Sequence, residues 1–237
     1  MAIFKTPAKD YDLLTTEFVC NKFGLAEFLA ENFAAYNLKC ANVLDVGCGA
    51  GSLSIYLAEQ FSAKVLAVDL NPQAAACCRA NVKRYNLAKS ISVAERNFAD
   101  LYTELEENSF QLILSNPPIN FEPTVNLAFA KETFAEMNHA KYQFLTNGWH
   151  DERGFDLTDY ILMAGQRLLA EDGNIILVCC DADGNSEKYI KNQAGRYNYD
   201  LKLLCEQKIP VAKLGITSAD RDFVCGYIWL MNFLRKG

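Results

Sequence analysis

The chain has 237 residues, a hydrophobic fraction of 51%, a formal net charge of −6 and a pI of about 5.1. That length holds one large α/β domain, or one of ordinary size with an N-terminal extension, and the apolar fraction permits a substantial core. The acidic balance weighs against broad, phosphate-driven affinity for nucleic acid. No apolar run approaches the roughly 18 residues of a membrane span, and the opening Met-Ala-Ile-Phe-Lys-Thr-Pro lacks an export-signal core. A cytoplasmic protein without membrane attachment is expected.

In chain order, residues 10 to 36 read as helix, with Leu13, Phe18, Leu25, Phe28 and Leu29 among the apolar positions and Gly24 as a candidate divider. This gives a helical N-terminal extension over 1–38 ahead of a single domain over 39–237. Strands are expected near 42–46, 64–69, 90–95, 110–115, 174–180, 202–209 and 222–232, and helices near 52–60, 72–86, 124–138, 156–171 and 184–195. Pro72 suits a first helical turn. Alternating strands and helices imply an α/β, doubly wound, mostly parallel sheet covered on both faces. Only Pro210 to Arg221 separates the last two strands, so they are expected to pair antiparallel.

Three strand ends carry chemistry. Val43 to Val46 runs into the turn Asp45-Val-Gly-Cys-Gly-Ala-Gly51, which opens directly into a helical pattern. Glycine is needed where a ligand must lie against bare backbone. Lys64-Val-Leu-Ala-Val-Asp69 is a second apolar strand, ending in a carboxylate about 20 residues on, the spacing of an acid that accepts ribose hydroxyls. The third, Leu112 to Ser115, ends in Asn116-Pro117-Pro118-Ile119, a stiff turn lacking two backbone donors.

Together these segments resemble the class I S-adenosylmethionine-dependent methyltransferases, and Asn116-Pro-Pro-Ile119 resembles the catalytic loop of their amino-nitrogen branch. The resemblance covers roughly residues 40 to 180. It implies S-adenosylmethionine as cofactor and a seven-stranded sheet with one reversed strand near the C-terminus. It places Asp45, Gly47, Cys48, Gly49, Gly51, Asp69 and Leu70 at the cofactor, with Asp45 ordering the loop or meeting the cofactor's ammonium group through water. Asp100 would accept from the adenine amine, and Phe98 would lie against the adenine or belong to the core. Asn116 would touch both cofactor and acceptor, acting with Pro117 and Pro118, while Ile119 and Trp149 would border the acceptor.

Nucleobase-methylating members usually carry an aromatic ring where this chain has Ile119, and a ring there stacks on the extruded base. Members acting on protein glutamine often carry one too. The segment Thr146 to Asp156, with Trp149 and His150, followed by a long helix, looks like the release-factor glutamine methyltransferases. The favoured acceptor is therefore a protein glutamine. An exocyclic amine of RNA or DNA and a small-molecule amine are the alternatives, and oligomeric state is not legible. A nucleotide-dependent oxidoreductase would also use a glycine loop but gives no reason for Asn116-Pro-Pro, and a noncatalytic methyltransferase-like partner protein would tolerate Asn116→Ala without loss of function.

Nine cysteines in a chain of this size, with no CxxC spacing and only His139 and His150 as histidines, read as reduced thiols, and no metal is expected. Arg79, Lys83, Arg84 and Lys89 cluster around one helix and its end and read as a solvated outer face.

Overall fold

The computed structural model describes residues 1–16, 22–116, 153, 155–181, 185–214 and 222–234. The expected helix at 124–138, together with Pro117, Pro118, Ile119, Trp149 and His150, lies outside these residues.

The chain opens with two strands, β1 (Ala2–Lys5) and β2 (Asp10–Leu13), paired antiparallel from Ala2↔Leu13 to Lys5↔Asp10. Among the described residues, the helix expected over 10–36 is present as α1 (Gly24–Phe33), followed by a 3-10 turn at Ala34–Tyr36. Asp10-Tyr-Asp-Leu13 alternates polar and apolar residues, and strand pairing sends Tyr11 and Leu13 fully into the core. The extension is thus part strand. It packs into one hydrophobic cluster with the main sheet, Phe4 against Tyr11, Phe23 and Tyr56. Glu27, in the first turn of α1, accepts from the Lys5 N–H at 3.1 Å.

The main sheet is built from β3 (Asn42–Val46), β4 (Lys64–Asp69), β5 (Ile91–Glu95), β6 (Phe110–Ser115), β7 (Leu169–Asp181), β8 (Tyr199–Pro210) and β9 (Phe223–Phe233). Its order is β5-β4-β3-β6-β7-β9-β8, with β9 alone reversed between two parallel-running neighbours. Helices α2 (Ser52–Gln60), α3 (Pro72–Arg84), α4 (Phe98–Leu101), α5 (Leu157–Leu168) and α6 (Asn185–Arg196) cover it. The central strands β3 and β6 are buried on both faces, as a doubly wound sheet requires, while the edge strands β5 and β8 are partly exposed. Val43, Val65, Leu112 and Leu114 pack with α1, α2 and α3, while Leu44, Val46, Ile113 and Leu177 pack with α4, α5 and α6.

From residue 42 on, the expected elements that fall on described residues are present in outline. Strand β7 starts five residues early, because α5 stops at Leu168 and the chain turns extended at Leu169, whose ψ is 133°. The strand order reverses direction between β3 and β6, so the crevice of a doubly wound fold opens beyond the carboxyl ends of those two strands. No helix among the described residues is long and apolar enough to cross a membrane.

Candidate active site

Glycine appears at three loop positions for three-dimensional reasons that differ. Gly47, Gly49 and Gly51 all have positive φ, at 77°, 56° and 81°, a region that penalises any side chain. A Cβ added to Gly47 or Gly49 would meet nothing within 4 Å, so at these two positions bare backbone faces open space. At Gly51 the same atom would lie 2.6 Å from the Cys78 sulfur of α3. Gly51 therefore lets α3 approach the N-cap of α2, the packing role of a third glycine in such loops.

The loop's N–H groups turn inward. Gly47 and Cys48 donate to the Val68 carbonyl at 2.8 and 3.1 Å, and Gly51 donates to the Cys48 carbonyl at 2.8 Å. Gly49 donates to Asp69 Oδ2 at 2.9 Å, and the other Asp69 oxygen accepts from the Asn71 N–H at 2.9 Å. Asp69, the last residue of β4, is half-buried, as is Leu70 beside it. Burial raises the Asp69 pKa against the lowering effect of the N–H groups of Gly49, Asn71 and Leu70. Asn71 also caps α3, accepting from the Gln73 N–H at 2.9 Å.

Ser54 of α2 donates to Oδ2 of Asp45 in β3 at 2.5 Å. The carboxyl is 2% exposed, and burial pushes its pKa up to about 6; the Ser54 hydrogen bond opposes that rise and the neighbouring Asp69 charge adds to it. The contact ties β3 to α2 directly behind the glycine loop. Cys48 is buried in this loop, and its thiol pKa is raised by the Cys78 thiol and by burial. Such a thiol is a packing group and a poor nucleophile.

Asn116 is half-buried and follows β6 directly. Strand register places Ser115 opposite Val46, and the Ser115 hydroxyl donates to the Val46 carbonyl at 2.7 Å. Asn116 and Gly47 thus leave the sheet side by side at the point where its order reverses. After β5, Asn97 caps α4. Phe98 is 4% exposed and shares the core cluster of Val46 and Val68, while Asp100 is exposed. Of the two positions weighed for Phe98, the structure places it in the core.

Ser54, Asn71 and Ser115 support the site but do not stand out in the sequence reading. Asn71 alone had a legible signal, a capping residue just before Pro72. The basic residues of α3 are partly paired, Arg79 with Glu95 at 2.9 Å and Arg84 with Asp12 at 2.7 Å.

A seven-stranded sheet with one reversed strand, a glycine cradle and an acid at the next strand end form a Rossmann-like fold of the methyltransferase type. The chain belongs to the methyltransferase small domain family, whose model matches residues 24–148. It is 29% identical over 198 residues to the human "MTRF1L release factor glutamine methyltransferase", covering 82% of this chain and 52% of that one. It is also 29% identical over 140 residues to a "tRNA1(Val) (adenine(37)-N6)-methyltransferase" of Parabacteroides distasonis, covering 59% of this chain and 52% of the relative. The chain thus spans about half the length of these curated relatives. Among solved structures, a precorrin-6y C5,15-methyltransferase from Geobacter metallireducens superposes with a TM-score of 0.57 at 14% identity, covering 94% of this chain and 93% of that one, a likeness of fold.

Proposed function

We propose that this chain transfers the methyl group of S-adenosylmethionine to a planar amide or amino nitrogen, with a protein glutamine side chain as the favoured acceptor. The observation that carries the reading is the position of Asn116, one residue beyond the Ser115–Val46 pair and beside the start of the glycine loop. Bare backbone at Gly47 and Gly49 fits a ligand lying against the loop, and the half-buried Asp69 carboxylate fits a pair of ribose hydroxyls.

The cofactor supplies an electrophilic methyl on a positively charged sulfur. The protein's task is then to present the acceptor. An amide or aryl-amine nitrogen is a weak nucleophile because its lone pair is delocalised into the neighbouring π system. In this reading the Asn116 side-chain oxygen and the Pro117 carbonyl accept the two N–H bonds, turn the nitrogen out of conjugation and aim its lone pair. Pro118 stiffens the turn. The proton departs after the nitrogen has become positive, so no strong base is needed. Ile119 and Trp149 border the acceptor, and Asp100 holds the adenine amine.

Three features support protein over nucleic acid. The net charge is −6, two arginines of α3 are paired with acids, and Ile119 offers no ring on which a base could stack. The human relative's name, a release factor glutamine methyltransferase, points the same way. The second reading is an adenine amino group, favoured by the name of the Parabacteroides relative. One experiment separates them: incubation with radiolabelled cofactor and a cell extract depleted of this protein, followed by separate protease and nuclease digestion. Label that survives nuclease and is released by protease supports the protein acceptor. The reverse pattern overturns it.

A further inference from the structure

Helix α3 meets the N-terminal hairpin with a stripe of polar side chains. Cys77, Asn81 and Tyr85 stand four residues apart, on one side of the helix. Strand β2 pairs with β1 along one edge, and its other edge is held by this stripe. The Tyr85 hydroxyl accepts from the Asp12 N–H at 2.7 Å and donates to the Asp12 carbonyl at 3.2 Å. Two residues further, Asn81 does the same for Leu14: its Oδ1 accepts from the N–H at 2.7 Å and its Nδ2 donates to the carbonyl at 2.9 Å. The Cys77 thiol donates to that carbonyl as well, at 2.8 Å. Side chains of α3 thereby stand in for a third strand.

Asn81 reaches one group more. Its Nδ2 also donates to the carbonyl of Ala50 at 2.9 Å, the residue between Gly49 and Gly51. The asparagine is fully buried, so both amide protons and one acceptor site are spent on these partners where water cannot replace them. One amide therefore joins the exit of the hairpin to the glycine loop. A displacement of the Ala50 carbonyl draws on the same amide that fixes both backbone groups of Leu14.

We propose that Asn81 is a positioning residue that couples docking of the N-terminal hairpin to occupancy of the cofactor loop. The inference rests on the reading that this loop holds S-adenosylmethionine. The loop is held by hydrogen bonds to Val68, Asp69 and Asn81, and its three positive-φ glycines let it shift when those bonds open; a ligand laid against Gly47 and Gly49 opposes such shifts, and so steadies Ala50 and, through Asn81, Leu14. Coupling of this kind is reciprocal, so what tightens the hairpin also tightens cofactor binding.

Hydrogen exchange of the full chain, with and without S-adenosylhomocysteine, tests it. In the wild type the ligand should slow exchange across residues 2–14 about tenfold. Asn81→Leu, similar in size but without hydrogen-bonding groups, should abolish that slowing and weaken ligand affinity about tenfold. Tyr85→Phe should speed exchange at Asp12 in both states yet keep the ligand-dependent slowing, because its contact does not reach the loop. Ligand binding by the wild type with unchanged hairpin exchange overturns the inference and leaves the cofactor reading standing. A folded Asn81→Leu protein with wild-type affinity and slowing overturns it as well. If the variant does not fold, the wild-type comparison decides. No ligand binding by the wild type overturns the inference and the cofactor reading together.

Discussion

Replacing the loop glycines one at a time separates the reasons for their presence. At Gly49, with φ of 56° and open space around the missing Cβ, alanine should meet only the left-handed backbone penalty, about 1–2 kcal/mol. At Gly51 the same penalty applies, and the new carbon would stand 2.6 Å from the Cys78 sulfur, which adds an overpacking cost of about 1–3 kcal/mol. Removing the sulfur with Cys78→Ala should relieve the second cost and leave the first. In a double-mutant cycle the two substitutions should therefore couple by about 1–3 kcal/mol, the pair being less destabilised than the sum. Urea unfolding midpoints, with slopes compared to check two-state behaviour, measure this directly. Calorimetry with S-adenosylhomocysteine supplies the other half, since Gly49→Ala should lose binding out of proportion to its modest stability cost. A Gly51→Ala penalty indifferent to Cys78→Ala would refute the packing explanation. Wild-type ligand affinity in Gly49→Ala would refute the cradle.

Two further outcomes follow from the site. Asn116→Ala should reduce methyl transfer about 10²-fold or more while cofactor affinity stays near wild type; equal loss of both would make Asn116 a support of the fold. Asp45→Asn should change how stability depends on pH. The folded-state pKa of Asp45 is raised from the ordinary 3.8 to about 6, so between those values the folded protein holds the extra proton and stability falls as pH rises. The asparagine variant lacks this slope, and relative to wild type it should gain up to about 3 kcal/mol between pH 4 and pH 7. A pH-independent difference in unfolding free energy between the two proteins would contradict the assignment.

Much of the fold was legible because the pattern was local. Apolar runs ending at Asp69 and Ser115, and a helix opened by Asn71-Pro72, announce their elements without tertiary information. The misread segment was decided by distant contacts. Gly24 looked like an interruption of a long helix, whereas it begins α1 at a point where a Cβ would lie 2.7 Å from the Lys213 carbonyl. Likewise Asp10 to Leu13 is a strand because β1 and the side chains of α3 satisfy its two edges, and no local spacing reveals that Tyr85 and Asn81 fold back on it. In the site, the glycines and Asp69 were readable from type and spacing. Ser54 was not, because a serine on a buried helix face gains meaning only when Asp45 is brought to it.

The central claim, that this fold binds S-adenosylmethionine between the glycine loop and Asp69, is tested most directly by calorimetric titration of the wild type and Asp69→Ala with S-adenosylhomocysteine. Saturable one-site binding is expected for the wild type. In the variant, affinity should fall about 10²-fold, from loss of the ribose acceptor and of the hydrogen bonds that Asp69 receives from Gly49 and Asn71. A well-folded wild-type protein that takes up no ligand, or an Asp69→Ala variant that binds as tightly as the wild type, would contradict it.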